Sequence, residues 1–289
     1  MSRIIMTILV KNEADIIAHN IKFHAKVGVN GFCIMDNGST DGTLDIIHTL
    51  MKSYDIKLIS NPENNYQQSK WMTGLAKLAK KEMAADFVIS NDADEFWLPD
   101  ENMQFSDILF RSDSVVTVSR QNMLFTEDIL HKDYHYSQSQ YCISKPVNYS
   151  VEDQINSDNV CMQFVPISPK VIVNPRGLIK IKGGNHRAKH MRYFLKRTEP
   201  RIQVFHYPVR SYERFLNNIE NRVKLLNQGA RMGPHYKRWV KYYNQGGLEQ
   251  EFQRMAVKVK DIPLLCQFGL IRALGSYQYK AINSSHCSL

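Results

Sequence analysis

The stretch FVISNDADEFWLP, Phe87 to Pro99, runs from an apolar segment straight into Asp92, Asp94 and Glu95 and then into Phe96, Trp97 and Leu98. Read as a buried strand, Phe87–Ser90 delivers the three acids to one strand end, where they repel one another unless a cation, a proton or open water accompanies them. Asp92 and Asp94 are two positions apart, so an extended chain points both side chains the same way at roughly 7 Å, and a turn brings them closer. That spacing suits a hard divalent cation held by one or two carboxylates together with phosphate oxygens. A dyad sharing a proton needs facing carboxyls from different segments. An exposed acidic loop needs neither, but it sits poorly with Phe96, Trp97 and Leu98, which are expected to hold the turn against a core.

Working outward, the first hundred residues alternate strand and helix patterns. Ile4–Val10, Phe32–Met35, Ile56–Ile59 and Phe87–Ser90 read as strands, and Ala14–Val27, Leu44–Met51 and Gln67–Met83 as helices; in the last, Trp71, Leu75 and Leu78 recur at helical spacing. This alternation predicts an α/β fold, a Rossmann-like, mostly parallel sheet with helices on both faces. Ligands of such sheets bind beyond the carboxyl ends of the strands. The polar clusters fall there: KNEAD, DNGSTDGT, NPENNYQQSK and NDADEFW follow the four strands in turn. In MDNGSTDGT, Asn37 and Gly38 suit a turn with positive φ, and Asp41 or Thr40 suits a helix cap. Asp36, at the strand end, can also accept hydrogen bonds from a base or ribose; no GxGxxG supports a dinucleotide site.

Further on, Val115–Ser119, Val160–Val165 and Lys170–Val173 read as strands, and the polar loop from Glu127 to Asn159 resists assignment. A strand Arg201–Phe205 precedes HYPVRS, and a helix Tyr212–Asn227 is expected with Ser211 as N-cap and Gly229 at its end. A helical pattern continues in the tail.

At 289 residues, 43% hydrophobic and 22% charged, the chain has the composition of a soluble globular protein with ample core. No window supplies a membrane span, and the N-terminus lacks a signal-peptide core. The five cysteines (Cys33, Cys142, Cys161, Cys266, Cys287) form no CxxC pair, which argues against a disulfide framework or structural zinc and fits a reducing cytoplasm. The net charge of +9 is uneven: Lys180 to Lys241 holds sixteen Lys/Arg against three acids. Such a block suits an anionic partner, whether a nucleotide or lipid diphosphate, a membrane surface or nucleic acid, or else it is a solvated basic face.

Three blocks, LVKNEADIIAHNIKFHAKVGVNGFCIMDNGSTDGT, NYQQSKWMTGLAKLAKKEMAADFVISNDADEFW and HYPVRSYERFLNNIENRVKLL, with GGNHR before the last, together resemble the bacterial family 2 glycosyltransferases of the GT-A fold that carry Asp-x-Asp-Glu-Phe and a later His-Tyr-Pro-Val-Arg-Ser. The resemblance extends to about residue 226. It implies a GT-A domain over 1–226, with a nucleotide-binding half at 1–100 and an acceptor-side half at 101–226, and a helical extension at 227–289. It further implies a nucleoside-diphosphate sugar as donor, Mn²⁺ or Mg²⁺ as cofactor, a glycan or lipid-linked acceptor of cell-surface polysaccharide or lipopolysaccharide synthesis, and inversion at the anomeric carbon.

Carried over by position, Val10, Asn12 and Glu13 border the nucleotide, Asp36 contacts base or ribose, and Lys70, Asp92, Arg187 and Arg210 face the donor, with Lys182 beside them. Asp94 is the first metal candidate, with Asp92 and His206 beside it; His186 is the other candidate histidine and is also placed to close over the diphosphate. The general base is open between Glu127, Asp128, Asp153 of the Glu152–Asp153 pair, and His186, because the family's usual Glu-Asp before a basic helix is not evident. Glu95 has no expected role. Two rivals stand beside this reading: an aspartate-nucleophile phosphotransferase, and a non-catalytic basic protein gripping anionic lipid or nucleic acid. The leading reading expects no nucleic acid, and a cytoplasmic protein with peripheral contact at the inner membrane face.

Overall fold

The structure is a computed structural model that describes residues 1–61, 67–227, 229 and 232–284. Residues 62–66 of the cluster expected after the third strand, and Cys287, lie outside the described residues. In chain order the elements are β1 Ile4–Val10, α1 Ile17–Lys26, β2 Gly31–Asp36, α2 Thr43–Leu50, β3 Ile56–Ser60, α3 Gln68–Met83, β4 Phe87–Asn91, β5 Glu95–Pro99, α4 Phe105–Ile108, β6 Val115–Asn122, β7 Tyr141–Ile143, α5 Val151–Asn156, β8 Lys170–Val173, β9 Leu178–Ile181, β10 Ala188–His190 and β11 Lys196–His206. The remainder is α6 Tyr212–Asn227, α7 Pro234–Asn244, α8 Leu248–Met255, α9 Ile262–Gln267, β12 Ile271–Ala273 and α10 Ser276–Asn283. They form two units: residues 1–120, 168–206 and from 280 on in the first, 121–167 and 207–279 in the second.

The first unit carries an eight-stranded sheet in the order β3-β2-β1-β4-β8-β6-β11-β5. The expected α/β sheet of GT-A type is present. Its β3-β2-β1-β4 half is parallel, with Val10 opposite Asp36 and Ile8 opposite Asn91, while β8 runs antiparallel to both β4 and β6, and β11 to β5. Nearly all of β1 and the whole of β4 are buried, as strands covered on both faces require, which is why both are mostly apolar without an alternating polar face. Helix α3 buries Trp71, Met72, Leu75, Ala76, Ala79 and Met83 on one face, and most of these join Ile5, Cys33, Val88 and Val171 in one core. Its lysines lie on the other face, so the helix forms through burial of a stripe.

In the second unit, α6, α7 and α8 enclose Phe125, Phe215, Val240 and Phe252. Arg238 is fully buried there, donating to both carboxylate oxygens of Glu251 and, at 2.7 Å, to the Ser157 carbonyl. A smaller core gathers Leu124, Ile143, Phe164 and Ile271 where β7 pairs with β12.

Several expectations need correction. Val160–Val165 is not a strand: Met162–Phe164 forms a 3₁₀ turn in which Met162, Gln163 and Phe164 are all buried, and a short apolar run without alternation cannot distinguish the two. EFWLP is more than a turn, because Glu95–Pro99 is a strand that pairs with β11, four strands away from β4. Phe96 and Trp97 are fully buried as expected. Around Gly38 (φ 77°) the left-handed partner is Gly42 (φ 88°), not Asn37. The resistant loop from Glu127 contains β7, α5 and two 3₁₀ turns. Cys33, Cys142, Cys161 and Cys266 are free thiols, and among the described residues no helix is long and apolar enough to cross a membrane.

Candidate active site

The DAD turn stands at the carboxyl end of β4 and is closed by the Glu95 N–H donating to the Asp92 carbonyl at 3.1 Å. A buried polar network ties it to α1. Asn20 donates to the carbonyls of Ala93 and Glu95 at 2.8 Å each, and accepts from the Asn91 side chain at 3.1 Å. The Trp97 indole donates to Asn91 at 2.8 Å, while the Trp97 N–H donates to His24 Nε2 at 3.0 Å. His24 Nε2 therefore carries no proton; Nδ1 does, and donates to the Asn20 carbonyl at 2.8 Å. Burial, only partly offset by that carbonyl, pushes the His24 pKa down to about 3. Asn20 and His24 stand one turn apart on the apolar face of α1; polar residues at that spacing among Ile17 and Ile21 were the sequence signal for this network.

Pairing of β5 with β11 sets His206 directly opposite Glu95, and Asp94 precedes Glu95. His206 Nε2 lies 3.5 Å from Asp94 Oδ2. One ligand atom from each of Asp94, Glu95 and His206 falls within 4.8 Å of the others. The structure thus brings together two of the metal candidates, Asp94 and His206, and adds Glu95. Asp92 is engaged differently: it pairs with Lys170 and accepts from Asn185 at 3.1 Å.

Lys170 is the residue that sequence reasoning missed. It opens β8, its side chain is 0% exposed, and its ammonium lies between Asp92 and Glu95, 3.0 Å from the latter. Arg120, on the neighbouring strand β6, donates to Glu95 Oε1 at 2.7 Å. The crowding of acids at the strand end is therefore relieved in the first place by cations of the protein itself. Burial depresses the Lys170 pKa, but Asp92 and Glu95 outweigh it and hold the ammonium above its usual range. Lys170 and Arg120 thus serve Asp92 and Glu95, while Asp94 faces His206.

This donor set of carboxylate oxygens and one imidazole nitrogen fits Mn²⁺ or Mg²⁺. Two buried polar atoms beside it, Arg120 Nε and Asn185 Oδ1, have no hydrogen-bond partner among the described residues, as expected where a polar ligand completes the site. Asn185 itself sits in the left-handed region (φ 58°), directly after Gly184 (φ 73°). A Cβ on Gly184 would come 2.5 Å from the His186 ring, so a side chain there must displace that ring as well as accept a left-handed backbone. His186 is half-buried, and its Nδ1 donates to the Pro169 carbonyl at 2.9 Å. Burial and nearby Lys170 lower its pKa to about 4, so it is a neutral imidazole with Nε2 as an acceptor at physiological pH.

The other predicted residues have these positions. Val10 is buried at the end of β1. The Asn12 N–H donates to Ser39 Oγ at 2.9 Å, its side chain accepts from the Thr40 N–H at 2.7 Å, and the Glu13 N–H donates to Thr43 Oγ1 at 2.8 Å. Asp36 is buried and accepts from the N–H groups of Gly38 and Ser39, so it also holds its own turn. Asp41 accepts from the Thr43 N–H at 3.1 Å, but the N-cap of α2 is Gly42, so neither Asp41 nor Thr40 holds the expected cap position. Lys70 is exposed in the first turn of α3, close in sequence to Gln68, which accepts from the Gly184 N–H at 2.8 Å. Arg187 and Lys182 are exposed and, with His186, line a cavity of about 310 Å³.

Glu127, Asp128, Asp153 and Arg210 belong to the second unit. Each of these acids has local employment near a helical N-terminus: Glu127 accepts from the Val259 N–H at 3.1 Å, Asp128 from the Thr126 hydroxyl at 2.9 Å, and Asp153 from the Ser150 hydroxyl at 2.7 Å. Ser150 in return caps α5.

Comparison with known proteins follows the same lines. No curated protein matches the chain. Among solved structures it is similar to S. aureus TarS 1–349 (14% identity, 92% of this chain and 78% of that one, TM-score 0.42) and to the same protein in complex with UDP-GlcNAc (12%, 90% and 78%, 0.43). It is also similar to glucosyl-3-phosphoglycerate synthase from Mycobacterium tuberculosis in complex with Mn²⁺, UDP and glucosyl-3-phosphoglycerate (14%, 61% and 57%, 0.31). Likenesses this distant leave the assignment to the family match: the model for Glycosyl transferase family 2 covers residues 7–148, from β1 through β7. That stretch, just under half of the chain, is similar to glycosyltransferase family 2.

Proposed function

We propose that the chain transfers a sugar from a nucleoside-diphosphate donor to a glycan or lipid-linked acceptor in cell-surface polysaccharide or lipopolysaccharide synthesis, with Mn²⁺ or Mg²⁺ held by Asp94 and His206. The observation that carries this reading is the register of β5 on β11, which sets an imidazole 3.5 Å from Asp94 of the DAD turn. When bound, the cation neutralises diphosphate charge as a Lewis acid. The protein's own groups do the rest. Val10, Asn12, Glu13 and Asp36, at the carboxyl ends of β1 and β2, border the nucleotide. Asp92, fixed by Lys170 and Asn185, meets the ribose, and Arg187, Lys70, Lys182 and Arg210 offset charge on the departing diphosphate.

Breaking the anomeric C–O bond builds positive charge on the sugar, and an inverting enzyme needs a base within hydrogen-bond reach of the acceptor hydroxyl. Glu127, Asp128, Asp153 and His186 remain the candidates. His186 offers an unprotonated Nε2, although a pKa of about 4 makes it a weak base.

The test is a thermal-shift screen of UDP-, GDP-, CMP- and dTDP-sugars with and without Mn²⁺. One nucleotide is expected to stabilise the protein, and only with metal, by about 2.7 kcal/mol at a hundredfold excess over Kd. Asp94→Asn is expected to keep the unliganded midpoint and lose the metal-dependent part. Equal stabilisation of the Asp94→Asn variant and the wild type by metal and nucleotide would reject the ligand assignment.

A further inference from the structure

The segment from Leu178 to Lys196 carries more than the transfer reaction uses, because Lys180, Lys189, Arg192 and Lys196 have no part in it. It carries six Lys/Arg and no acid. Its end bears the most exposed large apolar side chains of the described residues apart from Met1: Met191 at 71%, Phe194 at 70% and Tyr193 at 69%. These three are not on a loose loop. The Met191 N–H donates to the Gly177 carbonyl at 2.9 Å, and the Ser114 N–H donates to the Leu195 carbonyl at 3.0 Å, so the turn is tied on both sides. Tyr193 and Phe194 pack edge to face, with centroids 5.9 Å apart. A tied turn that holds two aromatic rings and a methionine in water loses solvation free energy unless something apolar covers them.

What surrounds the rings restricts the occupant. Lys189 and Lys196 flank the turn and, with Lys182 and Arg187, line the cavity of about 310 Å³, whose floor is Val115, Thr117, Val171 and Ala188. Near that turn the acids Asp113 and Glu199 are already paired with Arg197. A surface with apolar side chains at its tip, cations around them and a cationic pocket behind complements one environment in particular, a bilayer interface with anionic phosphate headgroups. Nucleic acid would match the charge but offers little to a methionine and a phenylalanine standing clear of the surface.

We infer that this tip is a membrane-docking surface. Met191, Tyr193 and Phe194 enter the headgroup layer of an anionic bilayer, and Lys189, Arg192 and Lys196 meet lipid phosphates. The inference stands apart from the glycosyl-transfer reading, and its test needs no turnover.

Binding of the full chain to phosphatidylcholine vesicles, with and without phosphatidylglycerol, is measured by co-sedimentation at low and high salt. Binding is expected only with phosphatidylglycerol, and weakened by salt. The combined variant Met191→Ser, Tyr193→Ser, Phe194→Ser is expected to bind at least about tenfold more weakly with an unchanged melting midpoint. Lys189→Glu with Lys196→Glu is expected to lose a similar factor. Failure of the wild type to bind anionic vesicles overturns the inference, and so does a serine variant that binds them as well as wild type. A surface that prefers single-stranded RNA to vesicles, with the serine variant losing nothing on RNA, is a nucleic-acid surface and also overturns it.

Discussion

Replacing Lys170 with methionine keeps the aliphatic stem and removes one buried ammonium. In the wild type that ammonium faces Glu95, itself 0% exposed, and Asp92, 32% exposed. Breaking a buried ion pair by removing one partner costs about 3–5 kcal/mol, because the other charge is left without compensation. Here Glu95 retains Arg120 at 2.7 Å and Asp92 reaches water, so the loss belongs at the lower end, about 3 kcal/mol. For a unit of this size a loss of that order lowers the midpoint by about 6–12 °C. Thermal and urea unfolding of Lys170→Met measure it directly. The double variant Glu95→Gln, Lys170→Met removes the stranded charge together with its partner, so it should be less destabilised than Lys170→Met alone by at least about 1 kcal/mol. A Lys170→Met midpoint within about 2 °C of wild type, or strictly additive effects in the double variant, would refute the assignment of Lys170 as the internal counter-charge.

His24 makes a pH prediction. Its folded pKa is near 3 against 6.5 unfolded, so the unfolded chain takes up the proton first as pH falls. Stability is fully present above the unfolded value and declines through the window between the two, by at most about 5 kcal/mol for this one group. Urea unfolding between about pH 7 and pH 5 should show wild type losing stability faster than His24→Gln, and a parallel decline would count against it. Gly184→Ala should cost about 1–2 kcal/mol through left-handed strain and the clash with His186. Because Asn185 moves with that loop, donor affinity measured by calorimetry should fall several-fold more than the midpoint alone accounts for; unchanged affinity would separate the loop from the donor site.

Much of the fold was legible along the chain because its determinants are local. The periodicities that mark β1, α3 and α6 act within a few residues, so β1 and α6 lie at their expected bounds and α3 begins one residue later than expected. The acid turn was equally legible, and with the family resemblance so were Asp94 and His206 as partners.

The rest depended on distance in sequence. Lys170 lies 78 positions from Asp92, at the head of an apolar strand where a lysine reads as a solvated flank. Only the antiparallel docking of β8 beside β4 turns it inward. Glu95 had no legible role, because its partners arrive on β6 and β8 and its opposite number on β11 is fixed by register. A sequence displays charges and periods, but which charges meet is decided by strand order. In this protein the strand order converted three repelling acids into a cation-braced site in which Asp94 faces a histidine.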